Sequence, residues 1–499
     1  MIRPGPARAG WRVGWAWLSP VLLLSIPVQL LSKGSEALWL VLLVVVAPLL
    51  ALFLVPAGGR PVTWNEHADT LPVVTTLLVV GALLWANLSL AGDLAVWLGG
   101  PRWSGALVAG GAAAALGVFR EGEKTMPLFI LAALLGLLLP LVVILGATDP
   151  LPPRVWNRVA SQPAFRFPSD SPWVTEGRSL GGRRGVDTLL FQEAHRLTPL
   201  TEAPLRVVVS DGVRTRVEEL AVAPGQPLVL RPGDRLQLDA GTRIRFEGGK
   251  RIPGAPLSGI AWADAPVRGG PALLKFLGLG ITLVGGAAAL MLSGRSGLHS
   301  RGGTALLGLF LLVAVAWSQC WALYAAAYAP ELFLGGVTAE ELLELPALVL
   351  RWGRWLAGIA LVGLFAWFLA SAVALRRVLA QLESALLPDL WVWGGLVGVA
   401  GLASLWPLDP WRLLLLALGL GASALAPLAV AAGPVGRSPS AKLAPAVGLA
   451  LFVGLAVAGL LSGTEGSLIL AYPASVAAPV ACGIVWLARR GPSPPERAK

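Results

Sequence analysis

Few residues in this sequence could carry out chemistry, and their spacing keeps them apart. Three histidines occur, His67, His195 and His299, and none is spaced from another as in a zinc site or as axial haem ligands on facing helices. Glu66, His67 and Asp69 put ligand types close together, but in a polar loop such a set is ordinarily solvated. His195 follows Glu193 in a polar stretch. A triad with Ser210 or Ser258 can be drawn, yet no Gly-x-Ser-x-Gly elbow supports it, and His195 reads as a polar residue of a surface helix or loop. Cys320 and Cys482 lie in apolar runs and are not expected to pair. Neither a Gly-x-x-x-x-Gly-Lys-Ser/Thr loop nor a strand-to-helix Gly-x-Gly-x-x-Gly turn is present. The sequence therefore predicts no cofactor, no metal site and no assigned catalytic residue. If ATP drives an activity, a separate subunit must supply it.

The remaining polar candidates gather near the ends of apolar runs. Asp93 lies near Trp97 and Arg102, and a later loop carries Glu331, Glu340, Glu341 and Glu344, followed by Arg351 and Arg354. Acids at a membrane boundary could activate a lipid-linked donor, and this arrangement resembles multi-spanning polyprenyl-linked sugar transferases in layout only. The first outer loop, 32–36, has no pair of acids. For Glu340, Glu341 and Glu344 the plainer expectation is the solvated face of an interfacial helix. Asp93 and the four glutamates are thus low-ranking catalytic candidates, and Arg351 and Arg354 are candidates for outer-surface contact.

The elements that must position these residues are mostly apolar. The chain is 56% hydrophobic and 13% charged, too greasy for a soluble protein. Segments near the length that crosses a bilayer as a helix number about twelve. They are 14–31, 37–55, 71–90, 103–119, 127–147, 272–292, 305–327, 355–375, 391–406, 413–431, 444–461 and 468–487; 103–119 and 391–406 are the weakest and could be re-entrant. A net charge of +11 does not point to nucleic acid, because the cations lie in short segments between spans. There they predict an N-terminus and C-terminus on the cytoplasmic side. The first run reads as a retained helix rather than a cleaved leader. The middles of the spans are nearly free of charge, which disfavours an ion-driven carrier. Most tryptophans, with Trp321 and Tyr324 among those near outer ends, read as headgroup-zone anchors.

Residues 148–268 are the only long polar interval. Their apolar residues alternate at 205–209, 228–230, 236–238 and 244–246, with Gly, Pro and Asp turns between, which predicts a small antiparallel sandwich or barrel ending in a strand at 259–263. Stretch 186–197 reads as a short helix or irregular strand. Arg235, Arg243 and Arg245 alternate out of the sheet and are candidates for surface contact.

The reading is an all-α membrane bundle with an inserted extracytoplasmic β-rich domain. Its parts are a membrane block at 1–147, the insert at 148–268, a second block at 269–490 and a cytoplasmic tail at 491–499. The expected location is a bacterial cytoplasmic (inner) membrane. The expected partners are the lipid bilayer and an envelope protein that meets the insert, with no nucleic acid. The favoured function is a non-enzymatic platform or assembly component. The alternatives are a transporter or exporter of a neutral or lipid-linked substrate, and a lipid-linked glycosyl or acyl transferase.

Overall fold

The computed structural model describes residues 13–54, 70–118, 122–168, 174–176, 187–201, 204–210, 215–238, 243–264, 269–292, 301–334, 338–380, 389–406, 408–431, 439–462 and 471–490. His67, His299 and most of the cation-bearing connections lie outside them. Among the described residues seven apolar stretches are long enough to cross a membrane, Pro20–Leu54, Val73–Trp97, Met126–Ala147, Leu273–Met291, Gly302–Tyr328, Arg354–Leu379 and Pro410–Leu428, and shorter apolar helices accompany them. The chain is a multi-pass membrane protein.

Its first block contains α1 (Pro20–Lys33), α2 (Leu38–Leu54), α3 (Thr70–Trp97), α4 (Arg102–Val118) and α5 (Gly122–Ala147). Helices α1 and α2 join through a 3-10 turn at Gly34–Ala37. The run is nevertheless bent back on itself. The Trp17 indole donates to the Val44 carbonyl at 3.1 Å, whereas a straight helix would hold those residues about 40 Å apart. Gly34, at φ +62°, makes the reversal. A Cβ there would meet the Trp262 carbonyl oxygen at 1.9 Å, so both conformation and space demand glycine.

After α5 come α6 (Pro152–Ala160) and eight strands: β1 (Val174–Glu176), β2 (Asp187–Leu190), β3 (His195–Pro199), β4 (Pro204–Ser210), β5 (Thr215–Ala221), β6 (Leu228–Leu230), β7 (Arg235–Leu238) and β8 (Arg243–Phe246). They form two antiparallel four-stranded sheets, β1-β8-β3-β6 and β2-β7-β4-β5. Leu197, Ile244 and Phe246 from one sheet and Leu189, Val207 and Leu236 from the other are buried in the same core. From 187 to 197 the chain is strand, bend and strand, the irregular-strand alternative rather than the helix. Conversely, the strand expected at 259–263 is a helix, α7 (Gly259–Ala263), because the Ser258 hydroxyl accepts from the Ala261 amide and starts a helical turn.

The second block holds α8 (Gly269–Leu292), α9 (Arg301–Tyr328), the short α10 (Ala339–Leu342) and α11 (Leu345–Val349), then α12 (Arg354–Ala380), α13 (Asp389–Ala403), α14 (Pro410–Ala424), α15 (Ala426–Ala431), α16 (Pro439–Ser462) and α17 (Ala474–Arg490). Segments 103–119 and 391–406, the weakest expectations, are helical as α4 and α13. Close packing of small residues holds the bundle together: at Gly136 on α5 a Cβ would fall 2.3 Å from the Gly363 Cα on α12, so the two backbones touch.

Buried tryptophans act as fasteners. Trp321 and Tyr324, expected at the headgroup zone, are fully buried. Each of several indoles meets a carbonyl that the helix has left open. Pro48 has no N–H for Val44, so Trp17 supplies one. Pro27 likewise frees the Leu23 carbonyl, which accepts from the Ser318 hydroxyl at 3.3 Å. At helix ends, Trp262 donates to Leu31 at 2.9 Å and Trp321 to Leu342 at 2.8 Å. In contrast Trp103, Trp352, Trp355 and Trp406 are exposed, as anchors are.

Replacing Trp17 or Trp262 by Phe keeps the ring and strands a buried carbonyl, at a cost of about 1–3 kcal/mol. Trp393→Phe should cost less, since its acceptor, the Ala113 carbonyl, lies inside α4 with an N–H four residues ahead. Thermal unfolding of the three variants in mild detergent checks the order.

Candidate functional site

The polar residues singled out from the sequence meet at the end of the bundle that faces the sheets. Helix α3 ends in a left-handed turn: Gly99, at φ +85°, donates to the Val96 carbonyl at 2.9 Å and Gly100 to Ala95 at 2.8 Å. This turn folds α4 back along α3. Gly105 then lies against the Ala91 carbonyl, and the Arg102 side chain runs over Gly92. Arg102 reaches Asp93 in an ion pair and also donates through Nε to the Ser404 carbonyl at 2.9 Å and through Nη2 to the Ser89 carbonyl at 3.5 Å. Both charged side chains are 14% exposed. One guanidinium therefore fastens α3, α4 and the end of α13.

The loop acids divide. Glu340 and Asp409 lie close enough to Asp93 to act on it electrostatically, and Glu344 accepts from the Trp97 indole at 2.7 Å. Glu341 instead closes a capping box with Thr338 at the start of α10. Glu340, Glu341 and Glu344 are half-buried rather than the solvated face of a helix; α10 is too short to present one and packs against α1 and α3. Glu331 is elsewhere, in a 3-10 turn at Pro330–Phe333, 7% exposed and with its Oε2 unpartnered among the described residues. Burial pushes its carboxyl above its ordinary value of 4.5.

The cluster of Asp93, Arg102, Glu344 and Trp97 ties helices together through its ion pair and hydrogen bonds, which suits a rivet better than a reaction centre. Its partners Ser89 and Ser404 contribute backbone carbonyls, which carry no signature in sequence. Among the described residues no group of three or more His, Cys, Asp or Glu could hold a metal.

His195 is not a surface residue. It is 1% exposed, on the same face of β3 as Leu197, with Phe191 edge-on at 5.0 Å and Phe246 at 6.4 Å. Desolvation holds its imidazole below the ordinary 6.5, opposed by a backbone hydrogen bond to Arg251. Ser258 is spent on capping α7, so the triad that could be drawn with it is not formed. Arg235, Arg243 and Arg245 are exposed as expected. Arg243 and Arg245 lie in β8, and register places Thr198 opposite Arg245 and Val229 opposite Arg196. Arg235 belongs to the other sheet. Arg351 and Arg354 are exposed at the start of α12.

The sheets are mounted on the bundle through a continuous seam. Within the insert Trp156 of α6 packs on Trp262 of α7 at 5.3 Å, and across to the bundle Phe165 packs on Phe333 at 4.8 Å while Trp262 bonds to Leu31. Arg158 donates to the Tyr328 hydroxyl at 2.8 Å, and Tyr324 donates to the Asp149 carbonyl. The chain matches no known protein family, and no curated protein matches it.

Arg102→Gln cuts the ties among α3, α4 and the end of α13 and should destabilise the protein by about 1–3 kcal/mol; Asp93→Asn, which keeps the Arg102 bonds to the two carbonyls, should cost less, as read by unfolding in detergent. Two titrations bound stability from opposite sides. A raised Glu331 means the folded state holds a proton the unfolded chain releases, so stability falls as pH rises from about 4.5 through the raised value. A lowered His195 means the unfolded chain binds a proton first, so stability falls as pH drops below about 6.5. Melting curves of Glu331→Gln should lose the first slope and keep the second.

Proposed function

We propose that this chain is a non-enzymatic platform of a bacterial cytoplasmic membrane, holding the β-rich insert at 148–268 outside the cell membrane for an envelope protein to bind. In this reading both termini are cytoplasmic and twelve segments cross. The cations of the connecting segments support that threading. The single observation that carries the platform reading is the mount. The Phe165–Phe333 contact, the Arg158 bond to Tyr328 and the Trp262 indole bond to Leu31 join the insert to the helices, an arrangement suited to presenting a surface at constant orientation.

The transporter and transferase alternatives depend on polar groups free to work. Here Asp93 is engaged by Arg102, Glu344 by Trp97 and Glu341 by Thr338. The face most suited to a partner is the outer side of the β1-β8-β3-β6 sheet. It sets Val229, which is 65% exposed on the edge strand β6, opposite Arg196 of β3, with Arg245 and Arg243 one strand further in, an apolar spot beside a cationic row of the kind interfaces use.

A photo-crosslinking side chain at position 229, introduced in living cells, should capture one stoichiometric partner. Position 235 on the other sheet should not, and Arg243→Glu with Arg245→Glu should abolish the product. Equal capture from both positions, or none from 229, would contradict the platform. A compartment reporter inserted at Gly225 should read extracytoplasmic.

A further inference from the structure

A groove of about 400 Å³ runs between α3, α4 and α12, walled by Leu90, Leu94, Val108, Leu361, Phe365 and Phe368. Its lining is almost wholly apolar, and its edges at Leu98, Val108 and Val362 are exposed where the helices face hydrocarbon. A cleft of this kind in a membrane is filled by lipid chains, since neither water nor a void is stable there.

The residues above it say which lipid. Along α12, Arg354, Gly358, Leu361, Phe365 and Phe368 fall at alternating spacings of four and three, so they share one helical stripe. Leu361, Phe365 and Phe368 are its groove-lining part. A side chain at Gly358 would meet nothing within 4 Å, so the stripe stays open up to Arg354, about 10 Å beyond Leu361 along the axis. Arg354 and Arg351, a turn earlier, are exposed, as are Trp352 and Trp355 beside them. Among the described residues neither arginine pairs with a carboxylate. They also break the charge bias expected for that side of the membrane. Two exposed guanidiniums at the end of a membrane-length helix, above an apolar groove, are complementary to a lipid phosphate.

We propose that this groove and the arginines above it form a binding site for an anionic phospholipid, with one acyl chain between α3, α4 and α12 and the phosphate against Arg351 and Arg354. The site is separate from the insert face, so its failure would leave the platform reading standing. It accounts for arginines that helix packing does not use.

The full chain is reconstituted in vesicles of phosphatidylcholine with a minor share of phosphatidylglycerol, released in mild detergent, and its retained lipids weighed by native mass spectrometry. Phosphatidylglycerol should be enriched over its share in the vesicle. Arg351→Gln with Arg354→Gln should reduce the enrichment by roughly fivefold per arginine, and the double lysine variant should keep most of it. Gly358→Trp should block the opening and release lipid of both kinds. All of these substitutions are at exposed or open positions, and thermal unfolding confirms the fold of each. Lipid at the bulk ratio in the unaltered protein, or enrichment unchanged in the double glutamine variant, would overturn the proposal. So would displacement of the lipid by inorganic phosphate, which would make the site one for the free anion.

Discussion

A carbonyl that loses its helical partner inside hydrocarbon has no water to turn to, and this protein is arranged around that constraint. Prolines inside α1 and α2 and the ends of α1 and α10 each leave an acceptor open, and each acceptor described above is met by a side chain from elsewhere in the chain. The donors are mainly indoles, whose rings also fill space between helices. A bundle closed by such bonds has its helices fixed in register as well as in angle. Sliding one past another would break an unreplaceable hydrogen bond.

The same device sets the insert. The open carbonyl of Leu31 sits at the Gly34 reversal, and Trp262 of α7 both bonds to it and lays its own carbonyl against Gly34. From there Trp156, Phe165 and Phe333 extend the seam. The polar cluster at the head of α3 belongs to this closure: the Arg102 guanidinium holds α3, α4 and the end of α13 together, and Glu344 brings the loop before α12 onto Trp97. Exposed groups gather at the edges, in the arginines and the valine of one sheet and in the groove under Arg354.

Much of the architecture was legible in the chain. Apolar length located the helices, and alternation with glycine-rich turns located β4, β7 and β8. Both signals are local, so a short stretch carries them. Where the reading failed, a local signal was misjudged or none existed. His195 and Leu197 flank Arg196 in a period of two, which already marked the histidine as inward-facing. Ser258 before Gly259–Ala263 was a helix start taken for the edge of a strand. The pairing of Glu344 with Trp97 had no such trace, since these residues are 247 positions apart and helix packing in lipid follows small residues and shape rather than a periodic pattern. For the same reason the tryptophans were misread: composition cannot distinguish an indole at the headgroups from one that answers a proline.

A seam built from these contacts makes the insert and the helices move as one body. Spin labels at positions 229 and 355, both exposed, with Cys320 and Cys482 replaced, allow the distance between the outer sheet and the membrane boundary to be measured by pulsed electron resonance in lipid nanodiscs. A single narrow distribution is expected, broadening when Trp262 is replaced by alanine. A broad or two-peaked distribution in the unaltered seam would contradict it.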